Sequence, residues 1–281
     1  MAKTFGGNWT REKLNILEGY FHAYLKVMRN QPFSIGYIDA FAGAGSIELA
    51  SRDETSKLDA SNLIDGSVKR VLSLNPGFDG HVLIDRDRKS IIHLEALKEE
   101  FPDRRIKVIS GDANAQLVRM CDSIDWTHRR AVVFLDPTGM QVEWDTMEAV
   151  ARTGAIDVWI WFPLGVGVNR LLMRNGKIPP AWQEKLDRVF GTGDWRDRFY
   201  TTNEHLTLFG PEDTTDKTAT PLAIAEYYNE RLSTIFPCVA PNPRIMKNST
   251  NNPMYLLCFA AANPGKGGGI AVAIAQHLLS D

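Results

Sequence analysis

The residues of this chain that can do chemistry lie where apolar runs end. One run ends in the turn Asp39-Ala40-Phe41-Ala42-Gly43-Ala44-Gly45, and another ends at Asp85. Two later runs are followed by Ser110-Gly111-Asp112-Ala113 and by Asp136-Pro137. Glycines let the backbone approach a ligand closely, and carboxylates accept hydrogen bonds from hydroxyl and amino groups. The pattern therefore predicts a site for a nucleotide-like ligand.

The glycine turn discriminates between two kinds of nucleotide site. A nicotinamide-dinucleotide fingerprint needs a third glycine at position 48, where this chain has Glu48. The turn instead resembles motif I of class I methyltransferases, in the variant with Phe in place of the first glycine. The resemblance implies S-adenosylmethionine as cofactor, with Asp39, Phe41, Gly43 and Gly45 around it.

Two further acidic residues follow in the order that the same superfamily shows. Asp85 stands at the end of the second predicted strand, where its carboxylate can accept both ribose hydroxyl hydrogens. The alternative for Asp85 is a turn or helix-capping residue. The resemblance puts Asp112, with Ala113, beside the adenine amino group. The alternative for Asp112 is an N-cap of the following helix.

Asp136 and Pro137 are the candidate reacting residues. Base amino-methyltransferases usually place Asp or Asn, two prolines and an aromatic residue here, so that the acid and the first proline carbonyl accept the amino hydrogens. Thr138 and Gly139 supply neither the second proline nor the aromatic face, which leaves a plain turn open as the alternative. Thr138 also stands where methyl transfer to cytosine C5 would need a cysteine nucleophile, which excludes that reaction.

Composition and residue spacing narrow the remaining classes of function. The formal net charge of -2 gives no global electrostatic footprint for a nucleic acid. The widely spaced Cys121, Cys238 and Cys258 are expected to be reduced thiols, and the six histidines form no ligand-spaced pair, so no metal site is predicted. We find no leader-like start and no apolar stretch long enough for a bilayer, which favours a cytoplasmic protein.

The elements that must position these residues alternate between strand and helix. A helix capped by Thr10 is expected from Arg11 to Met28. Strands are expected at 35–41, 81–84, 106–109, 131–135, 157–162 and 255–261, and further helices at 89–101, 113–121, 146–152 and 221–235. Alternation of this kind predicts an α/β fold with a Rossmann-like, doubly wound and mostly parallel sheet, and with its ligand at the carboxyl ends of the strands.

The predicted organisation has four parts. An N-terminal helical segment covers 1–34, and the Rossmann-like cofactor-binding core covers 35–175. A cap or substrate-facing insertion covers 176–220, and a C-terminal helix with strands that complete the sheet covers 221–281. The polar, weakly periodic stretch 51–65 is expected to be an inserted loop between the first turn and the next helix.

Several runs together resemble the three-Cys-motif partner protein family, TcmP. They are Trp9, Lys13-Leu14, Tyr37-Ile38-Asp39-Ala40-Phe41-Ala42-Gly43, Gly66-Ser67, Asp136-Pro137-Thr138-Gly139-Met140-Gln141-Val142, Phe162-Pro163-Leu164-Gly165 and Val168-Asn169-Arg170. The resemblance implies a methyltransferase-like protein with a co-encoded partner that carries the cysteine motif. Asn169 and Arg170 are candidates to meet a phosphate or carboxylate across the cleft from Asp136, and a fold-stabilising salt bridge is the alternative.

The sequence thus predicts an S-adenosylmethionine-dependent methyltransferase that acts on a nucleic acid or nucleotide-like acceptor. The rival hypothesis is a non-catalytic or partner-dependent assembly protein that retains a methyltransferase fold, because fold does not fix function.

Overall fold

The chain folds around one large mixed sheet. The computed structural model describes residues 8–43, 46–48, 63–207 and 210–280. The strands are β1 Ser34–Asp39, β2 Ser46–Glu48, β3 Leu63–Asp65, β4 Gly80–Asp85, β5 Ile106–Ser110, β6 Arg129–Leu135, β7 Ile156–Phe162, β8 Tyr200–Thr207, β9 Gly210–Lys217, β10 Cys238–Val239, β11 Arg244–Lys247 and β12 Pro253–Ala261. The helices are α1 Asn8–Met28, α2 Ser67–Leu72, α3 Arg88–Glu100, α4 Ala113–Ser123, α5 Trp144–Arg152, α6 Asn169–Leu171, α7 Pro180–Phe190, α8 Trp195–Phe199, α9 Pro221–Ser233 and α10 Lys266–Ser280.

The strand order of the large sheet is β10-β12-β7-β6-β1-β4-β5, and β11 also pairs with β12. Strands β5, β4, β1, β6 and β7 run parallel to one another. Strand β12 is antiparallel to both of its neighbours in that order, so β10 runs in the same direction as β7. All seven residues of β7 are buried, as is typical of a central strand covered on both faces.

Helices cover both faces of this sheet. On one face α1 and α10 pack against β1, β6, β7 and β12, and α2 and α3 pack over β4. On the other face lie α4, α5, α7, α8 and α9. The apolar stripe of α1 that the sequence shows is buried in the first of these layers, with Leu17 and Phe21 at most 2% exposed. The burial of one face of α1 explains why this long helix is amphipathic.

The predicted fold class is confirmed. The order reverses at β1, whose two neighbours are β4 and β6, and a crevice opens at the carboxyl ends of strands at such a point. One antiparallel strand, β12, is inserted between β7 and β10 of the otherwise parallel order. Within the described ranges no helix is long and apolar enough to cross a membrane.

One sequence-based expectation needs correction after the glycine turn. Strand β2 follows the turn and pairs antiparallel with β3. The stretch 51–65 is therefore not wholly a loop, since its last three residues form β3; residues 51–62 lie outside the described residues. Between positions 176 and 220 the chain forms α7, α8 and the antiparallel hairpin β8–β9.

Candidate cofactor and acceptor site

A cleft of about 530 Å³ lies at the carboxyl ends of the parallel strands. Chain segments that follow β1, β4, β5 and β6 line it, which is where the doubly wound topology places a ligand. The ionisable residues that line it are Asp85, Arg86, Asp87, Asp112, Asp136, Glu143 and Arg188. Five carboxylates therefore face two guanidinium groups, and the lining favours a ligand that carries positive charge.

Gly43 and Asp85 form the link between the first two strands of the site. Gly43 has a φ of 59°, a left-handed conformation that favours glycine, and a Cβ built there meets no described atom within 4 Å. Its N–H donates to Asp85 Oδ2 at 2.9 Å, and the Asp87 N–H donates to Asp85 Oδ1 at 2.7 Å. A carboxylate has about four lone-pair positions, so Asp85 retains acceptor capacity toward the cleft.

Asp112 combines a capping position with a place in the cleft. Its Oδ1 accepts a hydrogen bond from the Ala115 N–H at 3.0 Å, which makes it the N-cap of α4. The residue is exposed and lines the cleft together with Ala113. The cap satisfies one oxygen and fixes the side chain, while the other oxygen has no hydrogen bond from a described residue.

Asp39 lies behind the cleft rather than on its surface. It is fully buried, and its carboxylate accepts from Tyr37 Oη at 3.1 Å, Ser67 Oγ at 2.7 Å and the Phe41 N–H at 3.3 Å. Burial raises the pKa of Asp39 to about 6, and the hydrogen bond from Ser67 opposes that rise. The arrangement braces the turn that presents Phe41 and Gly43 to the cleft. Gly45 lies outside the described residues.

Asp136 is paired with a lysine from the first helix. Lys13 Nζ lies 2.6 Å from Asp136 Oδ2, and the Lys13 side chain is only 6% exposed. The Lys13 ammonium lies 4.5 Å from the centre of the Trp161 ring and 5.5 Å from that of the Phe134 ring. It therefore contacts aromatic ring faces as well as the Asp136 carboxylate. Asp136 lines the cleft, whereas Pro137 is buried beside it.

The loop after β6 is fixed by hydrogen bonds that the sequence pattern did not reveal. Asn114 Nδ2 donates to the Gln141 carbonyl at 2.8 Å, and Asn114 Oδ1 accepts from the Glu143 N–H at 3.1 Å. The Thr138 N–H donates to Gln141 Oε1 at 3.2 Å. Asn114, Thr138 and Gln141 all line the cleft, so α4 holds this side of the cleft in place.

Asn169 and Arg170 do not line this cleft. They follow a π-helical turn, Leu164–Val168, at the carboxyl end of β7. Asn169 Oδ1 instead accepts from Lys217 Nζ at 2.6 Å. Arg170 is exposed and makes no ion pair with a described carboxylate.

Sequence reasoning assigned no role to Lys13, Ser67, Arg86 or Arg188. Lys13 and Ser67 belong to runs that carry the TcmP resemblance, which was the signal that could have found them. Arg86 directly follows Asp85, and Arg188 comes from α7 of the cap. No comparable sequence signal pointed to the two arginines.

Other reactive groups lie away from the cleft. In the described part of the chain no group of three or more His, Cys, Asp or Glu residues is placed to hold a metal ion. The cysteines are free thiols, and burial raises the pKa of Cys121 to about 12.

Comparisons with known proteins add only fold-level likeness. No protein-family model matches the chain, and no curated protein sequence matches it. Among solved structures, protein LPL1258 from Legionella pneumophila is 14% identical with a TM-score of 0.45, over 92% of this chain and 98% of that one. A Listeria monocytogenes protein described as an S-adenosylmethionine-dependent methyltransferase is 10% identical with a TM-score of 0.37, over 88% and 98%. The N-terminal domain of EvdMO1, solved in the presence of S-adenosylhomocysteine and D-fucose, is 9% identical with a TM-score of 0.39, over 87% and 82%.

Proposed function

We propose that this protein is an S-adenosylmethionine-dependent methyltransferase that acts on a nucleic acid or nucleotide-like acceptor. The observation that carries the proposal is the Gly43–Asp85 link at the mouth of the crevice. It joins a glycine that leaves room for a ligand to a carboxylate with acceptor capacity to spare.

The residues present fit this cofactor. A Cβ at Gly43 would occupy open space where the backbone borders the cleft, so the glycine provides a cradle. Asp85 would accept from the ribose hydroxyls and the outer oxygen of Asp112 from the adenine amino group. The acidic lining suits the positive sulfonium. When bound, S-adenosylmethionine supplies an electrophilic methyl group.

On the acceptor side, Asp136 and the Pro137 carbonyl would accept hydrogens from an acceptor nitrogen or oxygen. Lys13 holds one carboxylate oxygen of Asp136, which leaves the other to orient the acceptor. The aromatic faces around Lys13 exclude water from the back of this pair. A carboxylate held in one orientation needs no reorganisation when the acceptor loses its proton.

Membership of the three-Cys-motif partner family is part of this proposal. Its support is that residues from separate runs of the resemblance pair with one another, Lys13 with Asp136 and Ser67 with Asp39. The charge of Asp136 also contributes to the raised pKa of Asp39, so the two pairs lie within electrostatic reach of each other. A co-encoded protein bearing the cysteine motif is the partner that this membership implies.

The cofactor assignment predicts that S-adenosylhomocysteine binds and that Gly43→Val abolishes binding, because the branched side chain would fill the ligand's space. Titration calorimetry measures both. The matched control is Gly154→Val: Gly154 has a φ of 61°, and a Cβ there also meets no described atom within 4 Å, but it lies away from the cleft. Equal loss in both variants would trace the effect to backbone strain, and binding of NAD in place of S-adenosylhomocysteine would refute the assignment.

Transfer of a labelled methyl group to total cellular RNA and DNA tests the reaction. Incorporation of the labelled methyl group that depends on Asp136 supports the hypothesis that the protein is an enzyme. A protein that binds S-adenosylhomocysteine yet labels no nucleic acid or nucleotide, and that binds a co-encoded partner tightly, would favour the assembly protein.

A further inference from the structure

Unpaired cations follow the π-helical turn at the carboxyl end of β7. Arg170 and Arg174 both have exposed side chains, and neither forms an ion pair with a described carboxylate. Uncompensated charge gathered on one surface attracts ligands of opposite sign.

The β8–β9 hairpin brings a third cation to the same place. Lys217 Nζ donates to Asn169 Oδ1 at 2.6 Å and to the Asn169 carbonyl at 3.3 Å. An ammonium has three donors, so one remains for a ligand. Burial, and then the positive charge of Arg174, lowers the pKa of Lys217, so Arg174 and Lys217 lie within electrostatic reach of each other. We call Arg170, Arg174 and Lys217 the cap patch.

Backbone contacts hold the cap patch in shape. The Lys217 N–H donates to the Arg174 carbonyl at 2.8 Å, and Tyr200 Oη donates to the Met173 carbonyl at 2.8 Å. Side chains alternate along a strand, so Asp216 projects from the face of β9 opposite to Lys217. The backbone that carries Arg174 and Lys217 is thus held in place.

The π-helical turn that leads into the cap patch lies against the candidate active site. A Cβ built at Gly167 would lie 3.0 Å from Met140 Cγ, and Met140 lines the cleft. Helix α6 begins at Asn169, two residues after Gly167. Strand β7, which leads into this turn, is the parallel neighbour of β6, which leads into Asp136.

We propose that the cap patch binds phosphate groups of the acceptor while the group to be methylated enters the cleft at Asp136. The proposal rests on the proposed function and gives its acceptor a chemical class. An arginine fork matches two phosphate oxygens, and a lysine adds a point charge beside it. A mononucleotide and a nucleic-acid strand present the same chemistry to these side chains.

The test is fluorescence anisotropy with a labelled 12-nucleotide single strand, as RNA and as DNA, in the presence of saturating S-adenosylhomocysteine. Arg174→Gln should weaken binding by about 3- to 10-fold at low salt and should reduce the salt slope by about 0.7, the value for one lost contact to a single strand. The Arg174 side chain makes no hydrogen bond within the described residues, so the variant should fold normally. Competition with AMP distinguishes the two phosphate sources, since a mononucleotide site is blocked by AMP and a strand site is not.

Lys107→Gln is the matched control, because Lys107 is exposed and lies on the edge strand β5, at the other side of the sheet. Its affinity and salt slope should equal those of the wild type. The proposal is overturned if Arg174→Gln and Lys217→Gln bind as the wild type does, if Lys107→Gln loses as much affinity as they do, or if the wild type binds neither the strands nor AMP. Retained S-adenosylhomocysteine binding in the last case would leave the cofactor assignment of the proposed function standing and would count against its acceptor class.

Discussion

At the scale of single residues, the Lys13–Asp136 pair fixes the orientation of the carboxylate that we propose binds the acceptor. The two residues lie 123 positions apart in the chain, and the pair is part-buried. A charge in such a place is stable only with its partner, so removal of either residue leaves the other uncompensated. The residues proposed to hold the cofactor follow other strands, so their contacts should be independent of this pair.

Asp136→Ala should leave S-adenosylhomocysteine affinity within about 3-fold of wild type and lower methyl transfer by on the order of a hundredfold, the usual effect of losing one preorganised polar contact. Lys13→Met should lower transfer less, because Asp136 remains but loses its fixed orientation. Transfer rate, cofactor affinity and melting temperature are measured on both variants. Full transfer in folded Asp136→Ala protein would refute its catalytic role, and a fall in melting temperature with proportional loss of activity would indicate a structural one.

At the scale of elements, α1 contributes more than an apolar stripe. Besides Lys13 it supplies Tyr20, whose Oη donates to Asp157 Oδ2 of β7 at 2.7 Å. Burial raises the pKa of Asp157 to about 7, and the hydrogen bond from Tyr20 opposes the rise. The helix is thus fastened to the sheet by a carboxyl group that is costly to ionise.

Asp157→Asn should stabilise the protein at high pH. Folding raises the pKa of Asp157 from 3.8 to about 7, so its proton binds the folded state more tightly, and the resulting stability is present below pH 4 and lost as the pH rises through about 7. Asparagine keeps an acceptor for Tyr20 and never ionises. At pH 8.5 the variant should exceed the wild type by on the order of 2 kcal/mol in free energy of unfolding, and at pH 4.5 by much less. Denaturant unfolding across this range checks it, and a difference that does not change with pH would contradict it.

At the scale of the whole molecule, the cleft exists only when distant parts of the chain are folded together. Its lining runs from Ala40 to Arg188 and comes from both the sheet and the cap. A ligand that binds only the folded state stabilises that state in proportion to the logarithm of its concentration. The melting temperature therefore reports binding without any assumption about the acceptor.

S-adenosylhomocysteine at a hundred times its Kd should stabilise the wild type by about 2.7 kcal/mol, which raises the melting temperature by about 5 to 10 °C. Gly43→Val should show no such rise, and Gly154→Val should keep it. Thermal scans followed by tryptophan fluorescence measure the shift. No rise in the wild type, or an equal rise with NAD, would exclude the cleft as an adenosyl-cofactor site.

The sequence by itself determined the fold class and the main strands and helices of the large sheet, but it did not predict the β2–β3 pair or the β8–β9 hairpin. The apolar runs that became β6 and β7 are too continuous for surface strands, and the stripe of α1 repeats with the helical period. Such patterns are local, because they follow from backbone geometry and from which side chains can be buried. For the same reason the apolar runs alone suffice to put Asp85, Asp112 and Asp136 at the ends of strands.

Only the tertiary structure decided what those strand-end residues contact. Spacing in a sequence cannot tell that Asp39 turns back to Tyr37 and Ser67, that Asp136 meets Lys13, or that Asn169 meets Lys217. These contacts join residues whose separation along the chain carries no periodic signal. They arise because the strand order brings the carboxyl ends of β1 and β6 side by side beneath α1, and because the β8–β9 hairpin packs on the turn after β7.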